Sequence, residues 1–237
     1  MNLYDAEKEL NERLGFVFND LSLLKRALTH SSYANEHGRG KGEESSCDDY
    51  ERLEFLGDAV LELSVSDHLY RTMPESREGD MTKLRASLVC EPTLSYCAKA
   101  FELDKYILLG KGEEQTGGRS RDSIISDVFE AVVGALYLDG GLDKAKEFIG
   151  EYVLKDMYNK IEFVDSKTIL QEYVQERGLE LSYELISESG PAHDREYLAA
   201  ALIDGKEASR GSGRSKKSAE QAAAYEALKA FKRGLKE

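Results

Sequence analysis

The stretch YERLEFLGDAVLELSV (50–65) decides how the rest of the chain is read. Its apolar residues recur at helical spacing, with Leu53, Leu56, Ala59, Val60 and Leu63 on one side. Glu51, Glu54 and Asp58 stand at i, i+3 and i+7, which places them within an arc of about 60° on the other side. Such acids repel one another by a few tenths of a kcal/mol. Alone, they describe the wetted face of an amphipathic helix. The helix is expected from about Tyr50 to Arg71, stopping before Met73-Pro74.

A second stretch changes that reading. SIISDVFEAVVGALYLD (123–139) carries Asp127 and Glu130 at i, i+3 within an otherwise apolar helix, and Gly140-Gly141 ends it. Val128, Phe129, Val132, Val133, Ala135 and Leu136 cover most of its circumference, while Ser123, Ala131 and Gly134 share the acidic wedge. Unpaired carboxylates on a buried helix cost several kcal/mol each, so a positive partner must face them. Two acidic stripes fit a divalent cation that prefers hard oxygen ligands, Mg²⁺ or Mn²⁺. No Cys or His spacing suits zinc. Glu62 projects onto the first stripe one turn further on and stays open as a ligand.

Outward from these helices, the remaining N-terminal sequence is also helical. Leu21, Leu24, Ala27 and Leu28 share a face within 3–33, Met81–Phe101 is apolar but broken near Pro92, and a last helix runs over about 142–159. Residues 35–49 and 108–122 are glycine-rich and charged and are expected as loops. The texture changes after residue 158. A linker is expected at 159–165, then a helix at 166–178 capped by Ser166 and closed by Gly178. Strands follow at 181–189, 196–204 and 207–211, separated by SGPAHD and DGK turns, and a final helix at about 215–232. The expected fold is an all-α domain (1–158) joined to a small α+β domain of order α-β-β-β-α (166–235).

Charge follows the same division. The chain has 237 residues and a formal net charge of -13. Residues 1–165 hold 20 basic and 33 acidic side chains, and residues 166–237 hold twelve of each. Within 204–236, nine basic face four acidic side chains, and Arg214, Lys216 and Lys217 open an Ala-rich helix. A helix start prefers acids, so cations there suit a bound anion. No apolar run approaches the roughly 20 residues of a membrane span, and the polar N-terminus is no secretory signal. Cys47, Cys90 and Cys97 form neither a disulfide set nor a metal pair and suit a reducing cytosol. GKG (110–112) lacks phosphate-loop spacing, the serines lack a triad, and His37 and His68 lack a general-base pattern. His30, in LTHSS, reads as a structural histidine, and Lys83 and Arg85 as solvated or phosphate-facing cations.

ERLEFLGDAVLEL (51–63) resembles the signature helix of the ribonuclease III family. REGDMTKLRASLV (77–89), SIISDVFEAVVGALYLDGG (123–141) and LTHSSYANE (28–36) resemble its other blocks, in order. The C-terminal order, with its SKKSAEQAAA helix, resembles a double-stranded-RNA-binding domain. The resemblance implies that Glu54, Asp58, Asp127 and Glu130 hold catalytic Mg²⁺, for which Mn²⁺ substitutes, with Asp58 and Glu130 indispensable. It implies that Glu51 and Glu78 line the cleft. It further implies that Thr168, Gln171, Glu172 and Gln175 lie along one minor groove, that His193 reaches the next, and that Arg214, Lys216 and Lys217 meet phosphates. Tyr50 departs from the family pattern, which often has Asn there, and the 35–49 loop is longer than the family minimum. The implied activity is Mg²⁺-dependent cleavage of double-stranded RNA by a cytoplasmic homodimer, leaving 5′-phosphates and 3′-hydroxyls, on precursor rRNA and structured messages. Two rivals differ in testable ways: a protein that grips duplex RNA without cutting it, and a helical scaffold with acidic faces for protein partners.

Overall fold

In chain order, helices α1 (Leu21–Ala27), α2 (Ser31–His37), α3 (Glu51–Thr72), α4 (Glu78–Val89), α5 (Glu91–Ala100), α6 (Lys111–Gln115) and α7 (Asp122–Ile149) build the N-terminal part of the protein. A π-helical turn, Gly150–Leu154, follows α7. The computed structural model describes residues 9, 15–37, 49–190, 195–213 and 215–234. The chain divides into two units, Met1–Met157 and Tyr158–Glu237.

The first unit is organised by α3 and α7, whose backbones touch. A Cβ added at Gly57 would lie 1.8 Å from the Glu130 carbonyl oxygen, and one added at Gly134 would lie 2.3 Å from that of Leu53. Only glycine permits that approach. Around the crossing, Leu53, Val60, Leu61, Val65, Ile125, Val128, Phe129, Val132 and Leu136 are buried. Each such side chain contributes roughly 1.5–3 kcal/mol of burial. α3 departs from the expected single apolar face, because Ala59 is exposed and Phe55 and Leu63 are 81% and 56% exposed. Phe55, Ala59 and Leu63 fall at i, i+4 and i+8, a second apolar stripe directed at solvent.

Breaks occur where backbone chemistry requires them. Cys90 is extended (φ -77°, ψ 153°) and Pro92 sits in the first turn of α5, so the expected interruption separates α4 from α5. The expected end at Gly140-Gly141 is a bend instead: Gly141 (φ 79°, ψ -176°) breaks the helical geometry, and α7 resumes as far as Ile149. Residues 108–122 are more ordered than a loop. They contain α6 and a 3₁₀ turn at Gly118–Ser120, tied down by Arg119 to Glu114 and the Asp104 carbonyl (2.7 Å) and by Arg121 to Glu113 (2.6 Å). Most of the expected 35–49 loop lies outside the described residues.

In the second unit, the expected linker proves helical: α8 spans Met157–Val164. Phe163, on that helix, stacks edge-on against Tyr225 (5.3 Å between centroids), which gives the segment a reason to stay folded. α9 (Ser166–Gln175) follows, and Ser166 is its first residue rather than its cap. The Ser166 side chain is buried and donates to the Gln221 carbonyl (2.9 Å), so packing took the hydroxyl that would have capped the helix.

β1 (Leu181–Ser189), β2 (Glu196–Ile203) and β3 (Lys206–Gly213) pair antiparallel in the order β1-β2-β3. Asp204 (φ 49°) and Gly205 (φ 72°) form the two-residue turn between paired Ile203 and Lys206. α10 (Lys216–Gly234) covers the sheet with Ala223, Ala224, Ala227 and Leu228, joined by Leu170 and Val174 of α9. Its small side chains allow close contact: a Cβ at Gly211 would lie 2.1 Å from the Ala223 nitrogen.

Candidate active site and RNA-binding face

The glycine contact that joins α3 to α7 also fixes the acidic residues. Gly57 lies between Glu54 and Asp58 in sequence, and the backbone it meets is that of Glu130. The two stripes therefore face one another at the crossing. The electrostatics record this proximity. The Glu130 carboxyl is pushed up from 4.5 to about 8 by burial, then by Asp58, Glu54, Asp127 and Glu62. Glu54 is pushed up to about 7 by burial, then by Asp127, Glu51 and Asp58. Asp127 is raised by burial and by Glu91, against the opposing pull of the Tyr50 hydroxyl, Ser126 and His30. Glu54, Asp127 and Glu130 are half-buried, while Glu51 and Asp58 are exposed.

The chemistry of this donor set fits a hard divalent cation. Four carboxylates from two rigid helices present oxygen ligands, and their leading influences on one another are repulsive. Among the described residues, no three His, Cys, Asp or Glu side chains converge closely enough to form a complete metal cage. Mg²⁺ does not require one, because it keeps several waters and takes one or two carboxylates together with substrate phosphate oxygens.

Glu62 joins the group as an influence on Glu130. Glu78 does not stand among the influences on Glu54, Asp127 or Glu130. It is exposed at the start of α4 and accepts from the Thr82 hydroxyl (3.1 Å). Two further residues bear on the site, one without a distinguishing sequence signal and one singled out only by its departure from the family pattern. Glu91 reaches Asp127 from α5, and its only advance sign was its place beside Pro92. Tyr50 is buried, with 5% of its surface exposed, and its hydroxyl donates to Asp127 Oδ2 over 3.4 Å. Burial and the adjacent carboxylates push that phenol far above its ordinary range.

In the second unit, Thr168, Glu172 and Gln175 are exposed and Gln171 is partly exposed on α9, while Leu170 and Val174 point into the core. The expected polar stripe is thus free of packing duty. Lys216 and Lys217 are exposed at the start of α10, where backbone N–H groups and the helix dipole also favour an anion. His193 and Arg214 lie outside the described residues.

Two modules thus define the class of protein: a helical unit with an acidic crossing, and an α-β-β-β-α unit with a neutral polar stripe and a cationic helix start. Residues 20–157 match the family described as ribonuclease-III-like, and residues 166–230 match the double-stranded RNA binding motif. The chain is 49% identical over 224 residues to a protein named Ribonuclease 3 from Listeria monocytogenes serotype 4a, covering 93% of this chain and 96% of that one. A Ribonuclease 3 from a Geobacillus species is 47% identical over 232 residues, covering 95% and 91%. The solved nuclease domain of a Campylobacter jejuni ribonuclease III superposes with a TM-score of 0.56 at 38% identity, covering 63% of this chain and 97% of that one. The chain belongs to the ribonuclease III family of endoribonucleases.

Proposed function

We propose that the protein is a Mg²⁺-dependent endoribonuclease that hydrolyses phosphodiester bonds in double-stranded RNA. The observation that carries this reading is the acidic crossing, where Glu54 and Asp58 of α3 face Asp127 and Glu130 of α7 across a contact only glycine allows. Glu54, Asp58, Asp127 and Glu130 are the residues that would hold Mg²⁺, or Mn²⁺ in its place, with Asp58 and Glu130 indispensable. The bound cation would supply an activated water and neutralise charge on the leaving oxygen. The rigid helix pair holds the carboxylates on one side of the scissile phosphate. Water adds to phosphorus as the 3′ oxygen leaves, giving 5′-phosphate and 3′-hydroxyl ends. Glu51 and Glu78 border the cleft.

Thr168, Gln171, Glu172 and Gln175 lie along a minor groove, Lys216 and Lys217 with Arg214 engage phosphates, and His193 reaches the adjacent groove. That division suits recognition by duplex shape rather than sequence. Each nuclease unit presents one acidic crossing, so cutting both strands calls for a homodimer. The exposed Phe55, Ala59 and Leu63 stripe supplies apolar surface for pairing. The Campylobacter structure is described as having a region involved in dimer formation of its nuclease domain. Precursor rRNA and structured mRNA in the cytoplasm are the substrates we assign. The free thiol of Cys90 accords with that compartment, and no described helix is long and apolar enough to cross a membrane.

The test is incubation of end-labelled duplex RNA with the protein, with and without Mg²⁺. Cleavage only with the cation, and its loss in Glu130→Gln while duplex binding survives, is the expected result. Binding without cutting in Mg²⁺ sinks the enzyme reading.

A further inference from the structure

The LTHSS block (28–32) and the buried Tyr50 have no part in the chemistry above, yet they meet beside Asp127. Leu28 and Thr29 run next to Leu108, with Leu108 N–H donating to the Leu28 carbonyl (2.8 Å) and His30 N–H to the Leu108 carbonyl (3.0 Å). The Thr29 carbonyl in turn accepts the Tyr50 N–H (2.9 Å), which fixes the backbone at the entry to α3. Ser32 N–H donates to His30 Nδ1 (3.1 Å), and the Ser32 hydroxyl lies 2.7 Å from the same nitrogen. The Ser32 hydroxyl oxygen accepts the Gly110 N–H (2.9 Å), locking the turn that holds the imidazole. The His30 and Tyr50 rings pack 5.6 Å apart at 57°. The phenol so braced has one polar atom, and its partner is Asp127 Oδ2.

We propose that Tyr50, braced by His30, is a positioning residue that orients the Asp127 carboxylate for the divalent cation. Donation to Oδ2 restricts rotation of the carboxylate. At 3.4 Å the contact is long for a hydroxyl donor. The LTHSS block acts at the metal site through this phenol. The inference rests on the metal-dependent reading of the crossing, and its test separates the two.

Tyr50→Phe removes only the donor and keeps the ring against His30. Mn²⁺ binding to the full chain, without RNA, is read from the electron paramagnetic resonance of the free ion. Outer partners of this kind are worth 10–100-fold in metal affinity, so the Mn²⁺ dissociation constant should rise about tenfold. The Mn²⁺ concentration for half-maximal cleavage should rise by the same factor, while the rate at saturating metal is retained. In an Asp127→Asn background, Tyr50→Phe should have no further effect on Mn²⁺ binding. A purely structural tyrosine would instead lower the melting temperature and leave the metal midpoint alone. Unchanged Mn²⁺ affinity in Tyr50→Phe, with wild type binding metal and cutting duplex, overturns the positioning role only. Wild type that neither binds Mn²⁺ nor cuts overturns the metal reading and this one with it.

Discussion

Glu130→Gln should stabilise the metal-free protein at alkaline pH, even as it abolishes cleavage. The Glu130 carboxyl is raised from 4.5 to about 8 in the folded chain. Between those values the folded state holds a proton that the unfolded state has released, so stability falls as pH rises through the window. Above about pH 8 both states are ionised there, and the folded state bears the cost of burying the charge and the repulsion from Asp58, Glu54, Asp127 and Glu62. At 1.36 kcal/mol per unit, the shift amounts to nearly 5 kcal/mol. Glu130 is only partly buried, so screening by water reduces this to roughly 1–3 kcal/mol. An amide of the same shape carries no charge and should recover that amount. For a unit of this size the gain is about 2–10 °C in melting temperature. The assay is thermal unfolding by circular dichroism in EDTA at pH 5.5 and pH 8.5, then with Mg²⁺ at pH 8.5. In EDTA, the variant should melt above wild type at pH 8.5 and close to it at pH 5.5. Added Mg²⁺ should raise wild type and leave the variant nearly unmoved, since a ligand that binds the folded state stabilises it in proportion to its affinity. A variant that melts below wild type at pH 8.5 in EDTA, or a gap that ignores pH, would refute the claim that these carboxylates crowd one another.

Three further outcomes are expected. Gly134→Ala places a methyl 2.3 Å from the Leu53 carbonyl and should cost about 3 kcal/mol or more, seen as loss of cooperative unfolding or of soluble protein. Wild-type melting behaviour in that variant would show that the helices do not need to touch. Lys216→Ala with Lys217→Ala should weaken duplex binding for all sequences alike and flatten its logarithmic salt dependence by about one unit per lysine, measured by filter binding across a salt series. An unchanged slope would remove both lysines from the phosphate contacts. Deleting residues 166–237 should weaken RNA binding and confine cleavage to low salt, and a truncated chain that cuts normally at physiological salt would show that the second unit is not the grip.

Much of this was legible because the relevant signals are local. The span of α3 was set by Pro74 beyond its end, and the place where α7 breaks by Gly140-Gly141. All three strands were marked by turn chemistry that needs no tertiary partner. The departures share a cause, which is that packing partners cannot be read from one segment. Ser166 has a capping side chain, but Gln221 is 55 residues away and its carbonyl takes the hydroxyl. The helix in place of a linker at 159–165 depends on Tyr225, and the order within 108–122 depends on guanidinium contacts to Glu113, Glu114 and Asp104. Phe55 and Leu63 look like core by composition, and only the packed α3 shows that they are not.

The acidic site was visible for a similar reason, and incomplete for one too. Two stripes at helical spacing can be seen in any linear chain, but that they confront each other rests on Gly57 meeting Glu130. Neither glycine has a side chain to advertise it, and their role is the space they leave empty. An excess of 13 negative charges looks hostile to RNA when averaged. At the crossing, part of that excess is confined where burial, and then mutual repulsion, raise Glu54 and Glu130 toward neutrality in the absence of a cation. A divalent ion bound there would replace protons, so its affinity should climb with pH as those two groups, raised to about 7 and about 8, ionise. Acidity that repels phosphate without a cation would, with one bound, become the feature that draws phosphate in.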